Sequence, residues 1–363
     1  MTVAVPHDRL SWMYANPALG EAVRDILSNH RPDIFHLFSG YLMTVNPLWA
    51  ALDLQIPVAV SLTDYWYLCP RLHLISSKDK LCNLIVDPVE CVQCLAEEKR
   101  RFRWPGRIFP KMWKKYWRKQ NHQVEETRRR LDVLRRVLNQ ANVLISPSQF
   151  IASVYEGNGF HGNRMIYMRQ GVESSLTEAV VKEKKPSTDL RIGFIGQIVH
   201  VKGIHTLLEA VQKLSSGSIR LKLVGDYNRD PKYAKGVMWL SRSMPVEWYG
   251  KFDHKDLHLI FHEIDVLVVP SLWYENSPNV ILESLAYLTP VIGSNVGGIP
   301  ELVIHEQNGL LFEPGDSSDL ATQINRLMTE PKLLGQLRDG IHPVKKLEEE
   351  IDELEEVYRS ICK

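Results

Sequence analysis

Hydrophobic positions along the chain follow two alternating periods, and the alternation predicts an α/β protein. Asn16-Pro17 reads as the cap and first residue of a helix, and Leu19, Val23, Ile26 and Leu27 then recur at helical spacing as far as Asn29. Short apolar runs follow at 34–38 and 58–62, with a helical stretch at 48–54 between them, and further runs at 143–146 and 165–168 continue the series. Strand, helix and strand in that order are expected of a parallel sheet. A polar stretch at 173–189, rich in Lys, Glu, Ser and Thr, interrupts the pattern. Beyond it strands are predicted at 191–195, 220–224, 266–269 and 291–292, with helices between them. The last segment, 344–360, repeats Leu347, Ile351, Leu354 and Val357 among many acids, as expected of a charged helix packed along one stripe.

These breaks divide the chain into a first domain at 1–172, a linker at 173–189, a second domain at 190–340 and a C-terminal helix at 341–363. A chain of 363 residues, 44% of them hydrophobic, can fill two cores. Its net charge of +1 gives no overall field toward nucleic acid or membrane. No run of about twenty apolar residues occurs, and the first residues lack a basic start followed by an apolar stretch. The expectation is a soluble, cytoplasmic protein. Of the five cysteines, four are confined to residues 69–94, which does not resemble a secreted disulfide framework.

The richest chemistry lies in VLVVPSLWYENSPNVILESLAYLTPVIGSNVGGIPELV, residues 266–303. Ser277 and Pro278 read as N-cap and first residue of a helix placed directly after a buried strand. The carboxyl ends of parallel strands are where open α/β sheets bind ligands, and free N–H groups make a helix start an anion site. Glu275 falls in the loop ahead of this helix, while Glu283 lies in its second turn on the face of Asn279. An ionised acid offers only acceptors, so both suit neighbouring sugar or ribose hydroxyls. Apolar neighbours on most sides of Glu283 argue that it is held in place by a partner. GFIG at 193–196 lacks the spacing of a dinucleotide fingerprint, which argues against a nicotinamide enzyme.

Glutamate, seven residues and a second glutamate, following VPS and preceding PVIGSNVGGIPELV, resemble the family-4 retaining glycosyltransferases. So do IGFIGQIVHVKGIHTLLEAV at 192–211, LVGD at 223–226 and NGLLFEPGD at 308–316. The resemblance implies a GT-B fold, with two Rossmann-like domains facing a cleft. It implies transfer of a sugar from a nucleotide-diphosphate donor, with retention, to a saccharide or lipid-linked acceptor. By the same resemblance Glu275 contacts the donor sugar and Glu283 the nucleotide ribose. Lys202, Gln197, Ser277 and Asn279 surround the donor phosphates, and no cofactor is required because fixed protein charges stabilise the leaving group. Gln197 is neutral where family members commonly carry arginine.

PDIFHLFS at 32–39 and VAVSLTDYWYLCPR at 58–71 resemble later strands of the family's N-terminal domain, with Thr63 at the histidine position. Asp64 beside it is the candidate to order an acceptor hydroxyl, a turn aspartate being the other reading. The family's opening strand and glycine-rich loop find no counterpart in residues 1–30, so the N-terminal domain is expected to be incomplete. Two alternatives follow: an inactive homologue that binds nucleotide sugar or a protein partner without turnover, and a nucleotide-sugar epimerase.

Two features fall outside that resemblance. Cys69, Cys82, Cys91 and Cys94 have the spacing C-x12-C-x8-C-x2-C in a loop-like insertion at 69–98, and either hold a structural zinc ion or another metal cluster, or stand as free thiols. A basic segment at 99–136 opens with KRRFRWPGRIFPKMWKKYWRK, in which cations interleave with aromatics and no acid occurs. Trp113, Tyr116 and Trp117 share one helical face. An anionic membrane surface bearing a lipid-linked acceptor suits this pattern, and the protein would then lie peripherally at the inner face of the membrane. The other reading is a basic helix covering the sheet with its aromatics buried. Nucleic acid is disfavoured, since no recognition fold accompanies the cluster.

Overall fold

The computed structural model describes residues 14–98, 108–173, 187–214 and 219–362. They form two α/β units, one running to Met168 and resuming at Glu353, the other spanning Arg169–Asp352. The change of unit thus falls before the polar stretch at 173–189, most of which lies outside the described residues. The end of the chain belongs with the first unit.

In the first unit α1 (Pro17–His30), β1 (Phe35–Leu37), α2 (Asn46–Asp53) and β2 (Val58–Ser61) are followed by α3 (Pro88–Glu97), α4 (Pro110–Arg118) and α5 (Asn121–Leu138). Next come β3 (Val143–Ser146), α6 (Gln149–Gly157) and β4 (Met165–Tyr167). The Asn16 side chain accepts from Leu19 N–H to cap α1, with Pro17 supplying the preset φ of the first turn. The four strands pair in order β1-β2-β3-β4, all parallel, with Phe35 opposite Val58, Ala59 opposite Val143 and Leu144 opposite Met165. Every residue of β2 and β3 is buried, as expected of parallel strands covered on both faces. The expected absence of an opening strand falls partly on residues 1–13, outside the described residues.

The second unit contains β5 (Leu190–Ile195), α7 (Ile204–Gln212), β6 (Ile219–Val224), α8 (Pro231–Leu240), β7 (Val246–Gly250), α9 (Leu257–His262) and β8 (Val266–Val269). After these come α10 (Asn279–Ala286), β9 (Val291–Ser294), α11 (Ile299–Leu302), β10 (Gly309–Phe312), α12 (Ser317–Thr329) and α13 (Leu333–Asp339). Its six-stranded parallel sheet has the order β10-β9-β8-β5-β6-β7. Alternate residues of β8 feed two cores: Val266 and Val268 pack with Ile192, Leu221 and Leu310, Leu267 and Val269 with Ile260, Ile281 and Val291. Each such buried aliphatic side chain contributes about 1.5–3 kcal/mol. β7 and β10, absent from the sequence-based expectation, form the two edges.

The final helix, α14 (Leu347–Ile361), corrects one expectation. Leu354 and Val357 pack with Ala59, Val143 and Ile145 of the first sheet, but Leu347 and Ile351 are exposed. The predicted stripe is therefore buried only over the part that belongs to the first unit. Tyr358 continues that buried part, its hydroxyl 2.6 Å from His36 Nδ1, while His36 Nε2 lies 2.9 Å from Ser61 Oγ. Burial lowers the pKa of His36 to about 4.

Candidate functional site

Strand order locates the site in the second unit. From β5 the chain winds to β6 and β7 on one side, then returns to β8 beside β5 and winds the other way. Ligands of doubly wound sheets bind outside the carboxyl ends of the two strands at such a reversal. Lys202 lies in the short helical turn His200–Lys202 that follows β5, and Glu275 in the loop that follows β8.

These two residues meet. Lys202 Nζ is 2.6 Å from Glu275 Oε1, and Ser271 Oγ donates to the same oxygen at 2.6 Å. Glu275 is only 4% exposed, whereas a quarter of the lysine side chain is open to solvent, with its ammonium 5.5 Å from the centre of the Trp273 ring. The buried carboxylate is thus held by one hydroxyl and one partly exposed ammonium.

Two glycines permit the approach of these loops. Gly203 has φ 68°, and a Cβ there would stand 1.8 Å from the Pro270 carbonyl oxygen, so any side chain would drive the β5 and β8 loops apart. Gly297 has φ 64°, and a Cβ would meet the Glu275 backbone at 2.4 Å. The next residue, Gly298, donates its N–H to the Glu275 carbonyl at 2.7 Å. Backbone on one side and Ser271 on the other thus fix Glu275.

α10 begins one residue later than expected. Pro278 occupies the cap position and Asn279 is the first helical residue. Ser277 makes no capping bond; its hydroxyl is buried with no hydrogen-bond partner among the described residues. Capping by Ser277 is therefore corrected: proline at the cap has no side-chain acceptor, so no side chain caps α10, and of its first N–H groups that of Ile281 bonds the Pro278 carbonyl at 2.9 Å. Glu283, on the second turn, accepts from or pairs with His254 Nε2 at 3.0 Å and is largely covered. Gln197 is exposed at the end of β5.

Asp64 lies in the first unit and is engaged there. One carboxylate oxygen accepts from Trp66 N–H at 2.7 Å, the other from Ser39 Oγ at 2.8 Å. This is the geometry of a side-chain turn. Thr63 is exposed and donates its hydroxyl to the Phe38 carbonyl.

The cysteine and basic segments adjoin each other. Cys69, Cys82, Cys91 and Cys94 line one cavity of about 230 Å³ and none is in a disulfide. Burial, reinforced by the neighbouring thiols, pushes Cys82 up to about 12 and raises Cys91 as well. Among the described residues no group of three or more His, Cys, Asp or Glu side chains is set to hold a metal ion. Arg130 of α5 is 1% exposed with no carboxylate partner among the described residues, a burial that costs several kcal/mol when uncompensated. In α4 the aromatics divide. Trp117 is buried against Val92 and Val124 with Trp113 beside it, while Tyr116 faces outward with Phe109 and Met112. Residues 99–107 lie outside the described residues, and among the described helices none is long and apolar enough to cross a membrane.

Sequence reasoning missed Ser271, Trp273 and His254. The first two stand in the VPSLWYE run, where only the buried state of Glu275 shows their part. His254 is 29 residues from Glu283 and meets it only through the fold.

Comparison with known proteins agrees with this architecture. A structure of the Anabaena protein HepE in complex with UDP superimposes with a TM-score of 0.70 at 18% identity, covering 95% of this chain and 82% of that one. The fold is GT-B. Residues 177–341 match the family described as glycosyl transferases group 1, and this part of the chain is a domain of that family. An uncharacterized glycosyltransferase of Methanocaldococcus jannaschii is 32% identical over 143 residues, which is 38% of this chain and 35% of that relative. The N-acetyl-alpha-D-glucosaminyl L-malate synthase of Bacillus anthracis is 24% identical over 62% of this chain and 58% of its own length. Between a third and three fifths of these curated relatives is therefore spanned by the match.

Proposed function

We propose that the protein transfers a sugar from a nucleoside-diphosphate donor to a saccharide or lipid-linked acceptor with retention of anomeric configuration. The observation that carries this reading is the meeting of Lys202 and Glu275 at the reversal between β5 and β8. A diphosphate approaching the uncapped start of α10 and the buried Ser277 hydroxyl draws the Lys202 ammonium from Glu275. The carboxylate, still held by Ser271, then accepts hydrogen bonds from the donor sugar. Glu283, oriented by His254, takes the ribose hydroxyls. As the bond from anomeric carbon to diphosphate breaks, charge gathers on the leaving oxygen beside Lys202. The acceptor hydroxyl bonds to the same face and gives its proton to the departing diphosphate oxygen, so that the products are the glycoside and the nucleoside diphosphate. UDP in the HepE structure supports a uridine nucleotide as the first donor to try.

The test is release of nucleoside diphosphate from a panel of nucleotide sugars, with and without membranes as acceptor, followed by the anomeric configuration of the product. Acceptor-dependent release is expected. Binding without release across the panel would identify a non-catalytic homologue, and donor conversion without acceptor an epimerase.

We also infer that α4 rests on an anionic membrane. Phe109, Met112 and Tyr116 recur on its outer face, with Met112 71% exposed, and Lys111, Lys115 and Lys119 are exposed around them. Apolar groups ringed by cations match acyl chains beneath acidic headgroups. Cosedimentation should be strong with phosphatidylglycerol vesicles, weak with phosphatidylcholine, and lost in a Phe109→Glu, Met112→Glu double variant. Equal binding to both lipids would refute the inference.

A further inference from the structure

The loop after β2 folds back on itself through a bridge between Ile75 and Leu81, and with α3 it encloses the cavity lined by Cys69, Cys82, Cys91 and Cys94. Cys91 lies within electrostatic range of the other three thiols, as Cys82 does of Cys69 and Cys94. Cys94 Sγ accepts from the Ser77 N–H at 3.2 Å and from Arg71 Nη1 at 3.6 Å. Such donors stabilise a sulfur that carries negative charge and are the usual surroundings of a metal-bound thiolate.

Arg130 supplies the decisive observation. Its guanidinium is buried and, among the described residues, its terminal nitrogens bond only the Trp66 and Tyr67 carbonyls and its Nε has no hydrogen-bond partner. Cys69, Cys91, Tyr155 and Tyr14 act on its charge, and the guanidinium carbon lies 5.5 Å from the centre of the Trp66 ring. Arg71 is shared among Glu98, Cys94 and the Ile75 carbonyl, whereas Arg130 has no acid among the described residues. Neutral thiols or disulfides would leave this cation with carbonyl and aromatic contacts but no counter-anion, whereas four thiolates around a divalent ion carry a net charge of about −2 beside it.

We propose that Cys69, Cys82, Cys91 and Cys94 bind one zinc ion as a tetrahedral tetrathiolate, with Arg130 as its buried counter-cation. No three of these side chains already stand in coordination geometry. Binding therefore turns the thiols inward to about 2.3 Å from the ion and releases their protons. Zinc ties Cys69, at the start of the insertion, to α3, whose Val92 packs with Trp117 of α4. The ion thus fastens the support of the basic helix. This proposal is independent of the sugar-transfer reading.

The full chain, expressed in zinc-supplemented medium and purified through a tag without histidine, should contain about one zinc by mass spectrometry of the metals. A mercurial reagent should release it. Cys362, which is exposed, should react with a thiol reagent at once, and the other four cysteines only after metal release. Cobalt in place of zinc should give the intense visible absorption of tetrahedral thiolate coordination, a readout on wild-type protein that requires no variant to fold. Cys94→Ser should lose the zinc while Cys362→Ser keeps it, and Arg130→Gln should weaken zinc affinity by about tenfold or more. The proposal is overturned if zinc stays below about a tenth of an ion per chain with all thiols reacting freely. Disulfides among the four, or iron with sulfide in place of zinc, would overturn it equally.

Discussion

The two units are built by the same rule, parallel strands alternating with helices, yet they carry chemistry differently. In the second unit three residues of the site are constrained by their neighbours: Gly203 by the Pro270 carbonyl, Gly297 by the Glu275 backbone, Glu275 by Lys202 and Ser271. In the first unit the distinctive features are an insertion lined with cysteines and a basic helix, whose roles depend on what they meet. Chemistry that needs fixed geometry leaves an ordered trail of residues, while chemistry that needs only charge and exposure leaves a composition.

Gly203→Ala is the severest test of the second unit. A methyl group 1.8 Å from a backbone oxygen, at a φ that alanine avoids, should destabilise that unit by roughly 4 kcal/mol or prevent its folding. Urea unfolding with separate probes for the two units would measure it, and a loss under about 1 kcal/mol would show that the loops have slack.

His36 offers the matching test in the first unit. Its pKa falls from 6.5 in the unfolded chain to about 4 when folded, so the unfolded state binds the proton more readily. Its contribution is complete above pH 6.5 and is lost as pH falls toward 4, roughly 3 kcal/mol in all. His36→Gln should flatten that part of the stability profile. An unchanged profile would mean that other groups set it.

Glu275→Gln keeps the size of the side chain and removes its charge. Turnover should fall about a hundredfold, with little change in folding. A smaller effect is expected of Glu283→Ala, about tenfold in donor affinity, since one carboxylate bonded to ribose contributes about 1.4 kcal/mol. If Glu283→Ala proved the more damaging to turnover, the assigned roles would have to be exchanged.

Much of this was legible in the sequence. Runs such as VLVV show a buried strand because a parallel sheet covered on both faces needs apolar residues at every position. β7 escaped because its edge position leaves Glu247 and Tyr249 exposed, giving VEWYG no apolar run, and β10 because only three apolar residues follow Gly309. Glu275, Glu283 and Lys202 could be named from their motifs, but their partners could not. Ser271 looked like any loop serine, and no local pattern joins His254 to Glu283. The stripe in α14 was correct in period and wrong in extent, because a helix shared by two units does not bury one face along its whole length.

The central claim is that Lys202 and Glu275 form a site for a nucleoside diphosphate. Titration calorimetry of the full chain with UDP and other nucleoside diphosphates, repeated with Lys202→Ala, addresses it most directly. The account predicts saturable binding of at least one nucleotide, weakened about tenfold by the loss of the ammonium, with the fold unchanged. Absence of binding across the series, or equal affinity of the variant and the native chain, would contradict it.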